Sequence, residues 1–210
     1  MESRFVVLEG PDGAGKTTQA AHLATHLRDR GQTVRVLREP GATPAGEAIR
    51  DLLLDPDTDV VPVAEMLLYQ AARAQVVEAV IRPELAAGHW VVLDRYCFST
   101  MAYQGYGLGI DPAAIRRVTG IATGGLMPGH LFLLDLDPGV GLERSGGRRR
   151  GADRIEGRPL EYHRRVREGF LAEARLLGQR ATVLDASEPV ESVAARIRTA
   201  IEERWPSPHS

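Results

Sequence analysis

The sequence predicts an α/β fold: a five-stranded parallel sheet flanked by helices on both faces. Three observations carry that expectation. Short apolar runs alternate along the chain with helical stretches, the order that right-handed βαβ units require. A glycine-rich turn joins the first apolar run to the first helix, where an open parallel sheet places its ligands. At 210 residues, 43% hydrophobic and 26% charged, the chain is long enough for one domain with a substantial core.

Each element follows from local pattern. Residues 4–9 are an apolar run closing on Gly10, a buried strand. Residues 17–30 carry Ala20, Leu23, Ala24 and Leu27 on one stripe, and Gly31 ends that helix. Thr33 to Leu37 is rich in β-formers and gives the second strand. Pro62 opens a long helical stretch to about Ala87, closed by Gly88, with a kink or break expected at Pro83. Further strands are read at His89 to Asp94, His130 to Asp137 and Ala181 to Asp185, and a final amphipathic helix at Val190 to Arg204. Residues 1–205 should therefore form one domain, with 206–210 a frayed tail.

Composition narrows the function. A formal net charge of −2 advertises neither a nucleic-acid nor an acidic-membrane partner. The single cysteine, Cys97, excludes an intramolecular disulfide and fits a reducing compartment. No apolar run reaches the roughly 18 residues of a membrane span, and no signal peptide is read, so a cytoplasmic protein is expected. The chain also holds one lysine, Lys16, among 25 arginines. A compact ammonium fits where a broad guanidinium does not, so a bias towards arginine that spares one lysine points to a tight cation site.

That lysine sits in Gly10-Pro11-Asp12-Gly13-Ala14-Gly15-Lys16-Thr17, which satisfies G-x-x-x-x-G-K-[ST] between a strand and a helix. The P-loop NTPase fold is thereby predicted. Backbone N–H groups and the helix N-terminus from Gly10 to Thr18 would cradle phosphates. Lys16 would bridge β- and γ-oxygens of ATP, and the Thr17 hydroxyl would ligate Mg²⁺. Leu93-Asp94-Arg95 closes an apolar strand on a carboxylate, so Asp94 is either the second Mg²⁺ partner or a cap for the following turn. A regulatory GTPase would need an Asn-Lys-x-Asp that a chain with one lysine cannot supply. Single-domain nucleotide kinases remain.

The chain resembles bacterial thymidylate kinases over nearly its whole length. The likeness rests on Glu9 to Gln19, Arg38-Glu39-Pro40-Gly41-Ala42-Thr43-Pro44, Leu67 to Arg73, Asp94-Arg95-Tyr96 with Ser99 and Tyr103-Gln104-Gly105, and Asp153-Arg154-Ile155-Glu156. It departs from the pattern at Ala42, where the family normally has a second glycine; a positive φ there would be strained. The resemblance implies phosphorylation of dTMP by ATP, with Mg²⁺, in a homodimer. Tyr69 would stack on thymine and Arg73, on the same helical face, would donate to a base carbonyl. Arg95, with Arg50 beside it, would hold the acceptor phosphate; as an alternative, Arg95 pairs with a structural carboxylate. Asp12 would meet the sugar 3′-hydroxyl or order Mg²⁺ through water, Tyr103 would fill the space of a ribose 2′-hydroxyl, and Glu39, Ser99 and Gln104 would complete the substrate pocket.

Arginines 144, 148, 149, 150 and 154 surround Gly146, Gly147 and Gly151, which suggests a lid over about 144–156. Gly13 stands where some relatives of this kind carry arginine, so the lid would supply the charge on the transferring phosphate, with Arg149 as its catalytic member. A solvated basic loop and a nucleic-acid patch are the alternatives. His22 and His26 share a helical face without a third ligand, so no zinc site is expected. The rivals are a kinase for another deoxynucleotide and, in a different class, a regulatory ATPase without an acceptor.

Overall fold

A computed structural model describes residues 3–146 and 154–206. Five parallel strands, β1 Phe5–Glu9, β2 Val34–Arg38, β3 Trp90–Asp94, β4 His130–Asp135 and β5 Ala181–Asp185, form one sheet in the order β2-β3-β1-β4-β5. The path leaves β1 in one direction for β3 and β2 and in the other for β4 and β5. Such a switch point opens a crevice beyond the carboxyl ends of the central strands.

Alternation along β1 divides the core. Val6 and Leu8 point to the face covered by α1 (Lys16–Asp29) and α9 (Val190–Arg204), where Leu23, Leu27, Ile197 and Ile201 pack. Phe5 and Val7 point to the other face, against Val76, Val77 and Ile81. All five strands fall where the periodicity places them. β4 stops two residues early, because the Asp137 carboxylate turns back to accept from Gly139 N at 2.8 Å and starts α7 (Pro138–Gly146).

The long helical stretch is not broken at Pro83. It runs as α3 (Pro62–Val76), a π-helical turn (Val77–Ile81) and α4 (Arg82–Ala86), with Pro83 in the first turn of α4. The widened turn sends Arg82 N to Val77 O, so the missing Pro83 N–H falls at a register change, where no regular helical bond is lost. A second π-helical stretch (Met101–Gly107) follows the short α5 (Cys97–Thr100). α2 (Pro44–Leu54), α6 (Pro112–Thr123) and α8 (Leu160–Leu177) complete the helical layers. Two of these carry readable starts: Thr43 Oγ1 accepts from Gly46 N at 3.0 Å, and Asp111 accepts from Ala113 N and Ala114 N, each ahead of a proline.

Of the expected lid, residues 147–153, with Arg148, Arg149 and Arg150 among them, lie outside the described residues, as do residues 207–210 of the expected tail. The described flanks turn inward: Arg144 donates to Ala186 O at 3.0 Å and Arg154 to Leu53 O at 3.0 Å.

Ala42 has φ 64, a left-handed conformation that its Cβ disfavours. Its N–H is held by Glu47 Oε1 at 2.9 Å, and the next residue caps α2, so the loop fixes the angle from both sides. Ala42→Gly should therefore stabilise the fold by about 1 kcal/mol, raising the melting temperature by a few degrees in a thermal unfolding scan. An unchanged or lower midpoint would mean that the loop absorbs the angle without strain.

Candidate active site

A cavity of about 290 Å³ opens beyond the carboxyl ends of β1, β2 and β3. One wall is the phosphate loop. Gly15 takes φ 87 just ahead of α1, turning Lys16 back over the loop. Its Nζ donates to Gly10 O at 3.0 Å and to Pro11 O at 2.7 Å. Burial, with Arg95 acting in the same sense, pulls the Lys16 ammonium down to about 8 against the opposing pull of Asp94 and Asp12. Asp12, Gly13, Gly15, Lys16, Thr17 and Thr18 line the cavity, while Ala14 packs into the core beneath. Gly13 has φ 74, and a Cβ there would strike the carbonyl of Gly141 on α7, so the loop can hold no side chain at this position without retreating.

Thr17 Oγ1 donates to Asp94 Oδ2 at 2.6 Å, bringing the end of β3 against the start of α1. The Asp94 carboxylate thus meets a hydroxyl from the opposite wall and does not cap its own turn.

Arg95, immediately after β3, has φ 70, strain that a non-glycine residue keeps only where its surroundings impose it. Its guanidinium donates to Gly10 O at 3.0 Å, Ser99 Oγ at 3.2 Å, Asp12 Oδ1 at 2.5 Å and Tyr103 OH at 3.2 Å. Tyr103 OH donates in turn to Asp12 Oδ2 at 2.8 Å. Burial works against the Asp12 charge, but Arg95 and Lys16 outweigh it and hold the carboxyl below its ordinary range. Arg95 thus pairs with a carboxylate, and it also lines the cavity.

On the opposite wall stand Tyr69, Ser99, Thr100, Gln104, Glu39 and Arg50. The π-helical stretch carries Tyr103 and Gln104 together to this surface. Arg50 donates to Pro40 O at 3.1 Å, and Arg38 lines the cavity while bound to Glu47 at 2.8 Å. Arg73 is placed differently from the sequence expectation. It lies behind the wall, donating to Glu39 at 2.8 Å and to Gln70, Thr100 Oγ1 and Tyr96 O at 2.9 Å each. A fully buried guanidinium is tolerated only with such partners, and four of its five N–H groups are committed here. Burial raises the Glu39 carboxyl, with Arg73 opposing; its Oε1 meets no donor among the described residues.

For several residues of the site the sequence could not name the partner. Glu9, fully buried, accepts from Tyr96 N at 2.8 Å and from Ser99 N and Oγ at 3.0 and 2.6 Å, and so caps α5 from the neighbouring strand. Burial raises its pKa despite Arg95 and Ser99. Its signal was present as an acidic end to an apolar strand, but its partner lies 90 residues away. Glu65, Thr100 and Arg158 are likewise legible only in three dimensions. His22 and His26 face α9, at 3.9 Å from Glu191 and 3.2 Å from Glu202. Burial pushes the Cys97 thiol up to about 12.

The family model described as thymidylate kinase matches residues 8–197. A thymidylate kinase of Deinococcus radiodurans is 50% identical over 200 residues, covering 95% of this chain and 97% of that protein. One from Synechococcus sp. (strain JA-2-3B'a(2-13)) is 48% identical over 202 residues, covering 96% of each. Among solved structures, thymidylate kinase from Ehrlichia chaffeensis is similar with a TM-score of 0.79 at 29% identity, over 96% of this chain and all of that one.

Glu9→Gln exchanges an acceptor for an amide N–H among three donors. It should cost about 1–3 kcal/mol of stability and lower kcat by loosening Arg95 and Ser99. Chemical denaturation with parallel turnover measurements checks this; a variant with unchanged midpoint and kcat would show that the α5 turn holds itself.

Proposed function

The chain belongs to the thymidylate kinase family and transfers the terminal phosphoryl group of ATP to dTMP, giving ADP and dTDP, and we propose how the residues of this cavity divide that task. The observation that carries the reading is Arg95: one guanidinium is bonded to the phosphate loop through Gly10 O and Asp12 and lines the same cavity as Lys16. Donor and acceptor phosphates can then meet between two cations fixed by one hydrogen-bonded unit.

On the donor side, the N–H groups from Gly10 to Thr18 cradle the β-phosphate of ATP, and Lys16 releases the Gly10 and Pro11 carbonyls to bind β- and γ-oxygens. Thr17 and Asp94 fit Mg²⁺, since a hydroxyl and a carboxylate oxygen 2.6 Å apart at the cavity edge leave the other positions to water and phosphate. When bound, the ion neutralises phosphate charge.

On the acceptor side, Arg95 and Arg50 hold the dTMP phosphate, reducing repulsion between two anions brought in line. Asp12 takes the 3′-hydroxyl, and Tyr103, whose ring is fixed by Arg95 and Asp12, closes the space of a 2′-hydroxyl. Tyr69 stacks on thymine, and Ser99 and Gln104 sit at the base. Glu39, whose Oε1 meets no donor among the described residues, lines the wall beside the nucleotide. Arg73 acts through Thr100: because the Thr100 oxygen accepts from Arg73, its proton is turned to the cavity, where it meets the 4-carbonyl of thymine. Arg149, outside the described residues, is proposed to bring charge to the transferring group from the lid. The family likeness supports a homodimer, and no helix among the described residues is long and apolar enough to cross a membrane.

A coupled ADP-release assay across a panel of monophosphates tests the acceptor. dTMP should be preferred over dCMP and over the ribose analogue by several powers of ten and at least tenfold in kcat/KM, respectively. Equal use of dTMP and dCMP would refute the assignment of the base pocket.

For the donor side, Lys16→Ala should abolish turnover, and Lys16→Arg should be severely impaired although the charge is kept. With the wild-type ammonium drawn down to about 8, the cation is present below that pH and lost above it. The kcat/KM for ATP should therefore fall as pH rises through about 8, because this parameter reports the free enzyme. A flat profile to pH 10 would separate the lysine charge from ATP capture.

A further inference from the structure

Glu65 is fully buried on α3, one turn before Tyr69, and the phosphoryl-transfer reading gives it no task. Its Oε1 accepts from Gln104 Nε2 at 2.8 Å and from Arg158 at 3.3 Å. Its Oε2 accepts from Arg158 at 2.6 Å and lies 2.7 Å from Arg154 NH1. A carboxylate clamped between two guanidinium groups has no proton to donate. The end of the Gln104 amide that faces it must therefore be the NH₂. The carbonyl oxygen is turned away, Gln104 lines the acceptor cavity, and no described residue donates to that oxygen.

We propose that Glu65 is a specificity-determining positioning residue: it locks the Gln104 amide with its carbonyl oxygen towards the acceptor cavity, where that oxygen takes the N3–H of thymine. The inference rests on reading the cavity as the dTMP site. Thymine presents a donor at N3 and an acceptor at the 4-position; cytosine presents an acceptor at N3 and a donor at the 4-position. Cytosine would set its N3 lone pair against the Gln104 oxygen. Turning the amide round would satisfy cytosine but point the carbonyl oxygen at Glu65. Either arrangement buries one acceptor against another, which costs more than a merely absent hydrogen bond. Thr100, held from behind by the donor-only Arg73, supplies the complementary donor for the 4-carbonyl. Two buried charges of opposite sign thus set the polarity of two neutral groups that meet the base.

Glu65→Gln removes the constraint, because an amide can accept or donate and Gln104 can then turn. The ratio of kcat/KM for dTMP over dCMP should fall at least about tenfold, mainly through KM, with kcat for dTMP within a few-fold of wild type. Arg158→Ala breaks the ion pair but leaves the Glu65–Gln104 contact, so it should keep the wild-type ratio. Gln104→Met removes the amide at similar size and should also narrow the ratio, which covers the case in which Glu65→Gln fails to fold. A folded Glu65→Gln or Gln104→Met with the full wild-type ratio would overturn the proposal, as would an equal loss in Arg158→Ala, which would trace the effect to packing of the 154–158 segment. A wild-type enzyme that uses dCMP as well as dTMP would instead bring down the acceptor reading before any variant is compared.

Discussion

The pair between Arg95 and Asp12 is the contact on which the cavity depends. It joins the end of β3 to the phosphate loop after β1, two segments that the sheet places side by side but that nothing in the ladder itself would hold at a fixed distance. Charges removed from water cost several kcal/mol each unless geometry and further hydrogen bonds offset the loss. Here the offset covers four of the five N–H groups: Gly10 O, Ser99 Oγ and Tyr103 OH take three of those that Asp12 leaves, and Nε–H meets no acceptor among the described residues. The strained φ of Arg95 follows from the same demand, since the backbone must turn sharply after β3 for the side chain to reach back over the loop. Deleting either partner would leave the other buried and uncompensated, and the loss would spread to Tyr103 and Glu9, which share the same acceptors and donors.

This pair also explains how two cations coexist in one pocket. Burial, and after it Arg95, lowers the affinity of Lys16 for its proton, while Asp94 and Asp12 oppose that effect. These two carboxylates therefore keep Lys16 cationic near neutrality in the absence of phosphate, and phosphate would strengthen the charge further. Pre-organisation of this kind lowers the reorganisation required when negative charge arrives.

Much of this arrangement was legible in the sequence, and the boundary of legibility has a physical cause. The strands could be read because each is short, apolar and bounded by glycine or a carboxylate, and the phosphate loop because its residues act through backbone and contiguous side chains. Thr17 and Asp94 could be read as belonging to one site because one follows β1 and the other ends β3, strands that a parallel sheet sets adjacent. Two classes of feature were not. The π-helical stretches at Val77–Ile81 and Met101–Gly107 add a residue to a turn without leaving a pattern in composition. Buried polar pairs such as Glu9 with Ser99 or Glu65 with Gln104 join residues 90 and 39 positions apart, and nothing local in either residue announces its partner. Arg73 is different again: the sequence read it as a donor to the base, and its burial behind Thr100 depends on Glu39, which the helix pattern does not contain.

The single lysine fits the same logic of space. Lys16 Nζ lies within 3.0 Å of two consecutive loop carbonyls and is almost wholly enclosed. An ammonium meets two acceptors in that gap with three donors on one atom and can swing from carbonyls to phosphate oxygens by rotating its stem. A guanidinium spreads five donors over a plane, which suits the four-sided enclosure of Arg95 and Arg73 and not a narrow slot that must exchange partners during binding. Arginine is thus used where a cation is fixed in a wall, and lysine where the cation has to be handed from the loop to its ligand. On that argument, the 25 arginines and the one lysine reflect two mechanical tasks as much as a compositional bias.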